Sequence, residues 1–542
     1  MILAIVFTGG YYIYKTLQPS QEVISFSNDL YLIVEDTLVD EGWPVIYEDG
    51  VLYFSIDTIK TFIDENIFYD EVEEMVIFTN EDKVIRYGIY ETEASMNSKV
   101  FHIINVIKKF DNNVYIPIDL FMADYDIDVN YYEETEAVVL DYTNMYYLKG
   151  EILNKDAVIR TGKDIKSPII NNNLEIGSTL YVYEEFDKWY KVRTPNGILG
   201  FIEKKYIKLN HTKDLFKTEL ETESEKEVLN SKKINLTWDY TYAKVQNTDN
   251  IVQIPGVNTI SPTWFSIVDN EGKIYDKGNT EYVKKYKNLG YDIWPIFDNS
   301  FDPDMTHEFL KSSIMREEII NNLLNIYLSY GFEGINIDFE NVYLKDKDLL
   351  TQFIRELYPV FKANNMTVSM DVTAISTNEN WSMSFDRVRL KDATDYLVFM
   401  AYDQHWASSP VAGSVAEYTW VERNLLRLFD LIPREKLILA VPFYTRLWTI
   451  EDDKVSSQAL TMEIANKFIA NNNMQLSWDH KAGQFYGELE KDGKLYKIWL
   501  EDAKSLEYKA SLIHKYDLAG IASWRKGFES PDIWISLESV FN

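Results

Sequence analysis

The chain lacks cysteine altogether, although it is 542 residues long. Disulfide bonds, thiol catalysis and cysteine-based metal sites are therefore excluded. Histidine is also rare, and the six histidines, at positions 102, 211, 307, 405, 480 and 514, show no spacing typical of metal ligands. We expect no metal ion and no other cofactor.

Positive charge is scarce as well. The chain contains 54 lysines and arginines against 86 aspartates and glutamates, a formal net charge of −32. Because nucleic acids and anionic membranes are bound through clustered lysine and arginine, this balance argues against both as partners. What the chain has in quantity is aromatic residues, which make up 15% and include 38 Tyr and 13 Trp. They can fill large cores and can also stack on sugar rings.

The N-terminal end carries no charge over its first 14 residues, and Lys15 follows. This run is short for a membrane-spanning helix and lacks a basic start. A buried strand is one interpretation. We favour a signal or membrane-anchor segment over residues 1–24, ending in the polar linker Gln18–Glu22. Such a signal or anchor segment predicts an exported protein, extracellular or at the cell surface. The protein would contact the membrane only through this segment.

Three or four domains are expected in a chain of this length. An internal repeat marks the first of them, because residues 49–57 resemble residues 112–119, with Tyr53 and Tyr115 at equivalent positions 62 residues apart. Each unit has the pattern of a turn, a short strand, a short helix and a hairpin. Residues 25–142 resemble the copper amine oxidase N-terminal-like module of exported bacterial proteins. No copper ligands are present, and the resemblance implies a spacer or a binding platform.

Residues 147–209 contain short β-rich runs separated by turn residues, which indicate a small barrel. The runs include Ala157–Gly162, Trp189–Arg193 and Gly197–Ile202. Their order and spacing resemble the bacterial SH3-like domain, a family that often binds cell-wall peptides; a rigid spacer is the alternative. Residues 210–232, rich in Lys, Glu, Thr and Ser, indicate a linker.

From residue 233 to 542, apolar strand runs alternate with helical stretches. This alternation predicts parallel strands with helical crossovers, and eight of them fit a closed (β/α)8 TIM barrel. A doubly wound open sheet is less consistent, since no Gly-rich phosphate loop follows the first strand. Residues 446–512 are predicted to form a small α+β insertion over the barrel mouth. The expected strands are 234–238, 257–267, 291–297, 334–340, 367–374, 396–403, 437–444 and 520–525.

The stretch Gly334–Glu340 carries the strongest chemical signal. Asn336, Asp338 and Glu340 alternate with apolar residues, so the three polar side chains share one face of a strand. Such a face is costly in a core but suits the polar mouth of a barrel. There Asp338 and Glu340 would perturb each other's protonation, as a proton donor at neutral pH requires. A half-solvated strand is the structural alternative.

The ends of other predicted strands carry further candidates. Strand six ends in Tyr402 and Asp403, strand eight in Trp524 and Arg525, and Asp371 lies in strand five. Because active sites of (β/α)8 barrels gather at the carboxyl ends of the strands, these residues are expected to converge. This convergence favours catalysis over a structural role.

Residues 232–542 resemble glycoside hydrolase family 18. Glu333, Asn336, Asp338 and Glu340 occupy the family signature on strand four, with Glu333 and Asn336 replacing acids that the family usually has. The segments Met400–Trp406, Trp478–Asp479, Trp499–Ala503 and Gly520–Trp524 add to the resemblance. The asparagine is typical of the bacterial spore-wall branch of peptidoglycan N-acetylglucosaminidases, which is more similar than the chitinases are.

The resemblance implies a substrate-assisted, retaining mechanism in which the 2-acetamido oxygen of the substrate is the nucleophile. It implies that Glu340 is the acid and then the base, and that Asp338 holds the acetamido N–H. Tyr402 would donate to the acetamido carbonyl, and Trp524 would form the floor beneath the sugar. Asn336 is expected to orient Asp338 by hydrogen bonding. Further substrate contacts are expected from Asp403, Arg525, Asp371 and Tyr444.

The leading hypothesis is a hydrolase that cleaves β-1,4-linked N-acetylglucosamine in cell-wall or spore-cortex peptidoglycan. Its partners would be that polysaccharide and a wall peptide bound by the SH3-like domain. A chitinase or an endo-β-N-acetylglucosaminidase acting on N-glycans is a second hypothesis. A non-catalytic glycan-binding scaffold is a third, against which the presence of Glu340 argues.

Overall fold

The computed structural model describes residues 18–25, 29–39, 42–215, 233–244 and 248–541. The predicted signal or anchor run at 1–14 and the greater part of the predicted linker lie outside these ranges. The chain divides into two compact units. The first contains the described residues up to 67 together with 87–94 and 100–215, and the second contains 68–86, 95–99 and the described residues from 233 onward. Within the described ranges, no helix combines the length and the apolar character needed to cross a bilayer.

Two four-stranded sheets organise the repeat region of the first unit. One has the strand order Ile127–Tyr132, Ala137–Tyr142, Tyr31–Val34 and Thr37–Val39; the other has the order Lys108–Phe110, Asn113–Pro117, Val51–Ser55 and Val45–Glu48. The two copies of the repeat pair directly, because Tyr115 lies opposite Ser55 and Pro117 opposite Tyr53. One α-helix, Ile56–Phe62, follows the first copy, and its N-cap is Ser55, whose side chain accepts from the Thr58 N–H.

A seven-stranded antiparallel sheet follows in the first unit. Its apolar core includes Ile152, Val182, Val192 and Ile202. The predicted SH3-like identity of this sheet stays a prediction. In sheet order the strands are Ile169–Asn171, Ile159–Arg160, Leu199–Glu203, Trp189–Arg193, Thr179–Glu185, Tyr146–Ile152 and Ile207–Leu215.

The second unit is built on eight parallel strands that close into a barrel, which confirms the predicted (β/α)8 fold. The first strand hydrogen-bonds to both the second and the eighth, so the eight strands form a closed barrel. The strands are β1 Ile234–Asp239, β2 Thr259–Ile267, β3 Ile296–Asp298, β4 Gly334–Asp338, β5 Thr367–Thr373, β6 Tyr396–Met400, β7 Leu437–Pro442 and β8 Gly520–Trp524.

Helices cover the outside of this barrel. Apolar side chains from strands and helices form one continuous outer core, and a smaller apolar cluster fills the barrel interior. The helices of the second unit are α1 Thr280–Asn288, α2 Pro303–Leu310, α3 Ser313–Tyr330, α4 Lys347–Lys362, α5 Arg387–Leu390, α6 Tyr418–Leu428, α7 Met462–Asn471, α8 Ala503–Tyr516 and α9 Asp532–Phe541.

Residues 444–500, between β7 and helix α8, form the predicted α+β insertion. It consists of helix α7 and a five-stranded antiparallel sheet. In sheet order the strands are Lys454–Thr461, Tyr444–Glu451, Lys494–Leu500, Gln484–Lys491 and Leu476–Asp479.

Candidate active site

Strand β4 sorts its side chains as the alternation predicted. Ile335, Ile337 and Phe339 are fully buried in the outer core. Asn336 and Asp338 lie on the opposite face and are also buried. The polar face of β4 therefore points toward the barrel interior and its carboxyl-end rim.

Asn336 does not orient Asp338 as expected from the sequence. Its Nδ2 donates to Asp371 Oδ1 at 2.8 Å and to Ser369 Oγ at 3.1 Å, both on β5. Its Oδ1 accepts from Trp238 Nε1 at 2.7 Å. The side-chain amide of Asn336 thus makes its hydrogen bonds with residues on β1 and β5. Asp371 is a buried partner of Asn336, and its expected contact with substrate stays a prediction.

Asp338 is a buried carboxyl group among other acids. Burial raises its pKa well above the usual range, and the charges of Glu340, Asp371 and Asp298 act in the same direction. Its Oδ1 has no hydrogen-bond partner among the described residues. Since buried carboxylate oxygens are normally paired, this oxygen is positioned to accept a hydrogen bond from a substrate N–H.

Glu340 follows β4 at the rim of the barrel. The buried side chain of Asn299 fixes its backbone from β3, because Asn299 Nδ2 donates to the Glu340 carbonyl at 2.9 Å and Asn299 Oδ1 accepts from the Glu340 N–H at 3.1 Å. Burial raises the pKa of Glu340 to about 7, with a contribution from the charge of Asp403. A substantial fraction of Glu340 is therefore protonated at neutral pH, as a general acid requires.

Tyr402 and Trp524 both pack against the apolar cluster inside the barrel. Burial raises the pKa of Tyr402 well above its usual value, and Asp371, Asp338 and Glu340 raise it further. The phenol is therefore a hydrogen-bond donor at any physiological pH. The ring of Trp524 lies edge-on to Trp238 at 5.8 Å, and Trp238 bonds to Asn336, so the indole and β4 are linked through one residue.

A second group of polar side chains surrounds Asp403. Its Oδ1 accepts from the hydroxyl of Tyr444 at 2.7 Å and from Nη2 of Arg446 at 3.2 Å. Tyr444 is buried, and Asp403 is more exposed than either partner. The carboxylate is therefore held in place while part of it stays accessible to a ligand. Arg525, at the end of β8, lies among the aromatic side chains Tyr240, Tyr242 and Phe528.

Sequence reasoning missed Trp238 and Asn299. Trp238 lies near the end of β1 and Asn299 directly after β3. Both positions could have been found by the rule that located Tyr402 and Trp524, since polar or aromatic residues at the carboxyl ends of barrel strands line the site.

An acid that follows β4, a buried carboxyl group two residues before it, a phenol and an indole, all on a (β/α)8 barrel, define a glycoside hydrolase. Residues 305–528 match the family described as glycosyl hydrolases family 18, and residues 34–140 match the copper amine oxidase N-terminal domain. The resemblances of the sequence to these two families are thereby confirmed. The first of these matches covers strands β4 to β8 of the barrel.

Two of the curated relatives are proteins of Bacillus subtilis. YdhD, described as a sporulation-specific glycosylase, is 29% identical over 252 residues, which are 45% of this chain and 59% of that protein. The cortical fragment-lytic enzyme is 23% identical over 264 residues, which are 46% of this chain and 59% of the enzyme. The match thus spans about three fifths of the length of these two relatives.

Solved structures share the barrel fold. A chitinase from Chromobacterium violaceum ATCC 12472 superposes with a TM-score of 0.51 at 21% identity, covering 57% of this chain and 98% of the chitinase. The spore cortex-lytic enzyme SleL of Bacillus megaterium QM B1551 has a TM-score of 0.51 at 16% identity, covering 68% of this chain and 90% of SleL.

Proposed function

We propose that this protein cleaves β-1,4-linked N-acetylglucosamine in peptidoglycan of the bacterial cell wall or spore cortex. The observation that carries the proposal is the pair formed by protonatable Glu340 and the unpartnered oxygen of Asp338. Glu340 supplies a proton, and the Asp338 oxygen accepts one hydrogen bond. Cleavage assisted by an acetamido group requires both. The sporulation and cortex-lytic names of the relatives support the choice of peptidoglycan.

The reaction proceeds in two steps. In the first, the 2-acetamido oxygen attacks the anomeric carbon, the glycosidic bond breaks, and Glu340 gives its proton to the leaving oxygen. In its ionised form Asp338 accepts a hydrogen bond from the acetamido N–H and stabilises the positive charge of the oxazolinium ion. In the second step Glu340 takes a proton from water as that water attacks the anomeric carbon, and the oxazolinium ring opens. The configuration at the anomeric carbon is retained.

Tyr402 and Trp524 complete the site. Tyr402 donates a hydrogen bond to the acetamido oxygen as that oxygen attacks, and its high pKa keeps the donor proton in place. Trp524 supplies an apolar floor for the sugar ring. Asp403, held by Tyr444, presents its accessible oxygen to a sugar hydroxyl.

We also infer that the protein acts outside the cell and that the seven-stranded sheet binds wall peptide. The resemblance of residues 147–209 to a bacterial SH3-like domain supports this role. Binding of the full chain to glycan strands with and without stem peptides is the test, and tighter binding of the peptide-bearing strands is expected. Equal affinity for both would exclude peptide recognition.

Release of reducing ends from purified peptidoglycan tests the proposed activity. The wild type is expected to release them, and Glu340→Gln to release none above background, because the amide cannot donate the required proton. Glu318→Gln is the matched control, since Glu318 is an exposed residue of helix α3. Chitin oligomers and N-glycans, assayed in the same way, test whether the protein is instead a chitinase or an endo-β-N-acetylglucosaminidase. No release from peptidoglycan by the wild type, or equal release by Glu340→Gln, contradicts the proposal.

A further inference from the structure

An exposed aromatic surface continues outward from the indole of Trp524. The ring of Tyr240 lies edge-on to Trp524 at 6.5 Å, and the ring of Tyr242 lies 4.7 Å from that of Tyr240. Tyr240 is 41% exposed and Tyr242 is 79% exposed. Both tyrosines follow β1, whose neighbour β8 carries Trp524. The surface therefore begins at the proposed sugar floor and extends into solvent.

Arg525 lies over this surface. Its guanidinium carbon is 4.7 Å from the centre of the Tyr240 ring and 4.0 Å from that of Phe528, within the range of cation–π attraction. One nitrogen, Nη2, donates to the hydroxyl of Tyr242 at 2.9 Å. We refer to Tyr240, Tyr242, Arg525 and Phe528 as the Arg525 cluster. Its rings fix the position of the guanidinium and occupy only one of its donors.

No carboxylate among the described residues lies within ion-pair distance of Arg525. Two acids, one at the end of the neighbouring strand β1 and one four residues after Arg525, are already bound elsewhere. Asp239 pairs with Lys526 at 2.7 Å, and Glu529 accepts from the Gly527 N–H and from Trp534. Arg525 thus carries an uncompensated positive charge at the site, in a chain whose formal net charge is −32.

A guanidinium with free donors favours a carboxylate, because its planar fork can bind both oxygens. In peptidoglycan each N-acetylglucosamine alternates with a sugar that carries a lactyl group, whose carboxylate is free wherever the stem peptide has been removed, whereas chitin is a neutral polymer. We propose that the Arg525 cluster binds the lactyl carboxylate of the sugar next to the N-acetylglucosamine above Trp524. Arg525 is then a specificity-determining residue that favours carboxylated glycans over neutral ones. This inference rests on the proposed function.

Binding by full-length Glu340→Gln protein tests the inference without any turnover. The ligands are glycan strands freed of peptides, the same strands with their carboxyl groups reduced to alcohols, and chitohexaose. Isothermal titration is expected to give affinity about tenfold or more higher for the carboxylated strands than for the reduced ones. Adding the substitution Arg525→Gln is expected to abolish that preference. Its loss of affinity for chitohexaose is expected to be about tenfold smaller than its loss of affinity for the carboxylated strands. Arg525→Lys, which keeps the charge without the planar fork, is expected to retain part of it.

Arg423→Gln is the matched control, since Arg423 is an exposed arginine of helix α6; it is expected to keep the full preference. Equal affinity for carboxylated and reduced strands overturns the inference, as does an equal loss of affinity for all ligands in Arg525→Gln or the same loss in Arg423→Gln. Turnover of the carboxylated strands by the wild type separates the two proposals. Preference without turnover overturns the proposed hydrolysis and leaves the carboxylate site supported, whereas turnover without preference does the reverse.

Discussion

Asn336 on β4 donates a hydrogen bond to Asp371 on the neighbouring strand β5, with 2.8 Å between Nδ2 and Oδ1. Asp371 in turn is one of the charges that raise the pKa of Asp338. The carboxyl group on β5 is thus tied to the site indirectly: Asn336 positions it, and its charge acts on Asp338. Two buried acids close together cannot both ionise at low cost.

Asp371→Asn is therefore expected to lower the pKa of Asp338, because a neighbouring negative charge is removed. If Asp338 works in its ionised form, the acidic limb of the pH profile of kcat/KM moves to lower pH. Ser369→Ala is the control, since it removes the other acceptor of Asn336 without changing any charge. An unmoved acidic limb in Asp371→Asn, or an equal movement in Ser369→Ala, contradicts the electrostatic coupling.

The alkaline limb of the same profile reports Glu340. Its pKa of about 7 means that the protonated acid, and with it kcat/KM, is lost as pH rises through 7. Asp403→Asn removes a charge that raises this pKa, so the alkaline limb is expected to move to lower pH. Asp430→Asn, an exposed position after helix α6, serves as control and leaves the limb in place. If the alkaline limb does not move in Asp403→Asn, that limb reports the titration of a group other than Glu340.

Glu340 is also expected to lower stability at alkaline pH. Its folded pKa of about 7 exceeds the ordinary value of 4.5, so the native state binds the proton more tightly than the unfolded state. Stability then falls as pH rises from 4.5 to 7, by about 3 kcal/mol for this group. Glu340→Gln is expected to raise the thermal midpoint at pH 8, with the difference vanishing below pH 4.5. Glu318→Gln, which changes an exposed charge, is expected to show no such pH dependence.

Glu356, on helix α4, is the centre of a buried ionic cluster in the second unit. It accepts from Arg316 at 2.8 Å and from Arg86 at 2.9 Å, and all three side chains are buried. Burial opposes the charge of Glu356, but Arg316 and Arg86 outweigh it and hold its pKa below the usual value. Glu356→Gln leaves the buried guanidinium of Arg316 without an anion and Arg86 with Glu317 alone, at 3.3 Å, and is expected to cost about 3–5 kcal/mol.

Urea unfolding followed by tryptophan fluorescence measures this cost. Glu318→Gln, on the exposed side of helix α3, is the control and is expected to change stability by less than about 0.5 kcal/mol. A loss in Glu356→Gln no greater than in the control would mean that the arginines find other partners.

The partner of Asn336 shows where reasoning from sequence ends. Alternation along β4 placed Asn336 and Asp338 on one face, and it suggested a bond between them. Residues two apart on a strand are about 6.6 Å apart, however, while neighbouring strands lie only about 4.8 Å apart. A short amide side chain therefore bonds across to Asp371 and Ser369 on β5 rather than along its own strand. Which residues lie across depends on the register of β4 and β5, and strand alternation carries no information on it.

The sequence by itself determined that eight parallel strands form the barrel, which face of β4 is polar, and that Tyr402 and Trp524 converge at the strand ends. These features follow from side-chain periodicity and from the geometry common to all (β/α)8 barrels. Only the tertiary structure decided that Trp238 and Asn299 support β4, and that burial raises the pKa of Glu340 to about 7. Hydrogen-bond partners and desolvation arise from residues far apart in the chain, so they exist only once the barrel has closed.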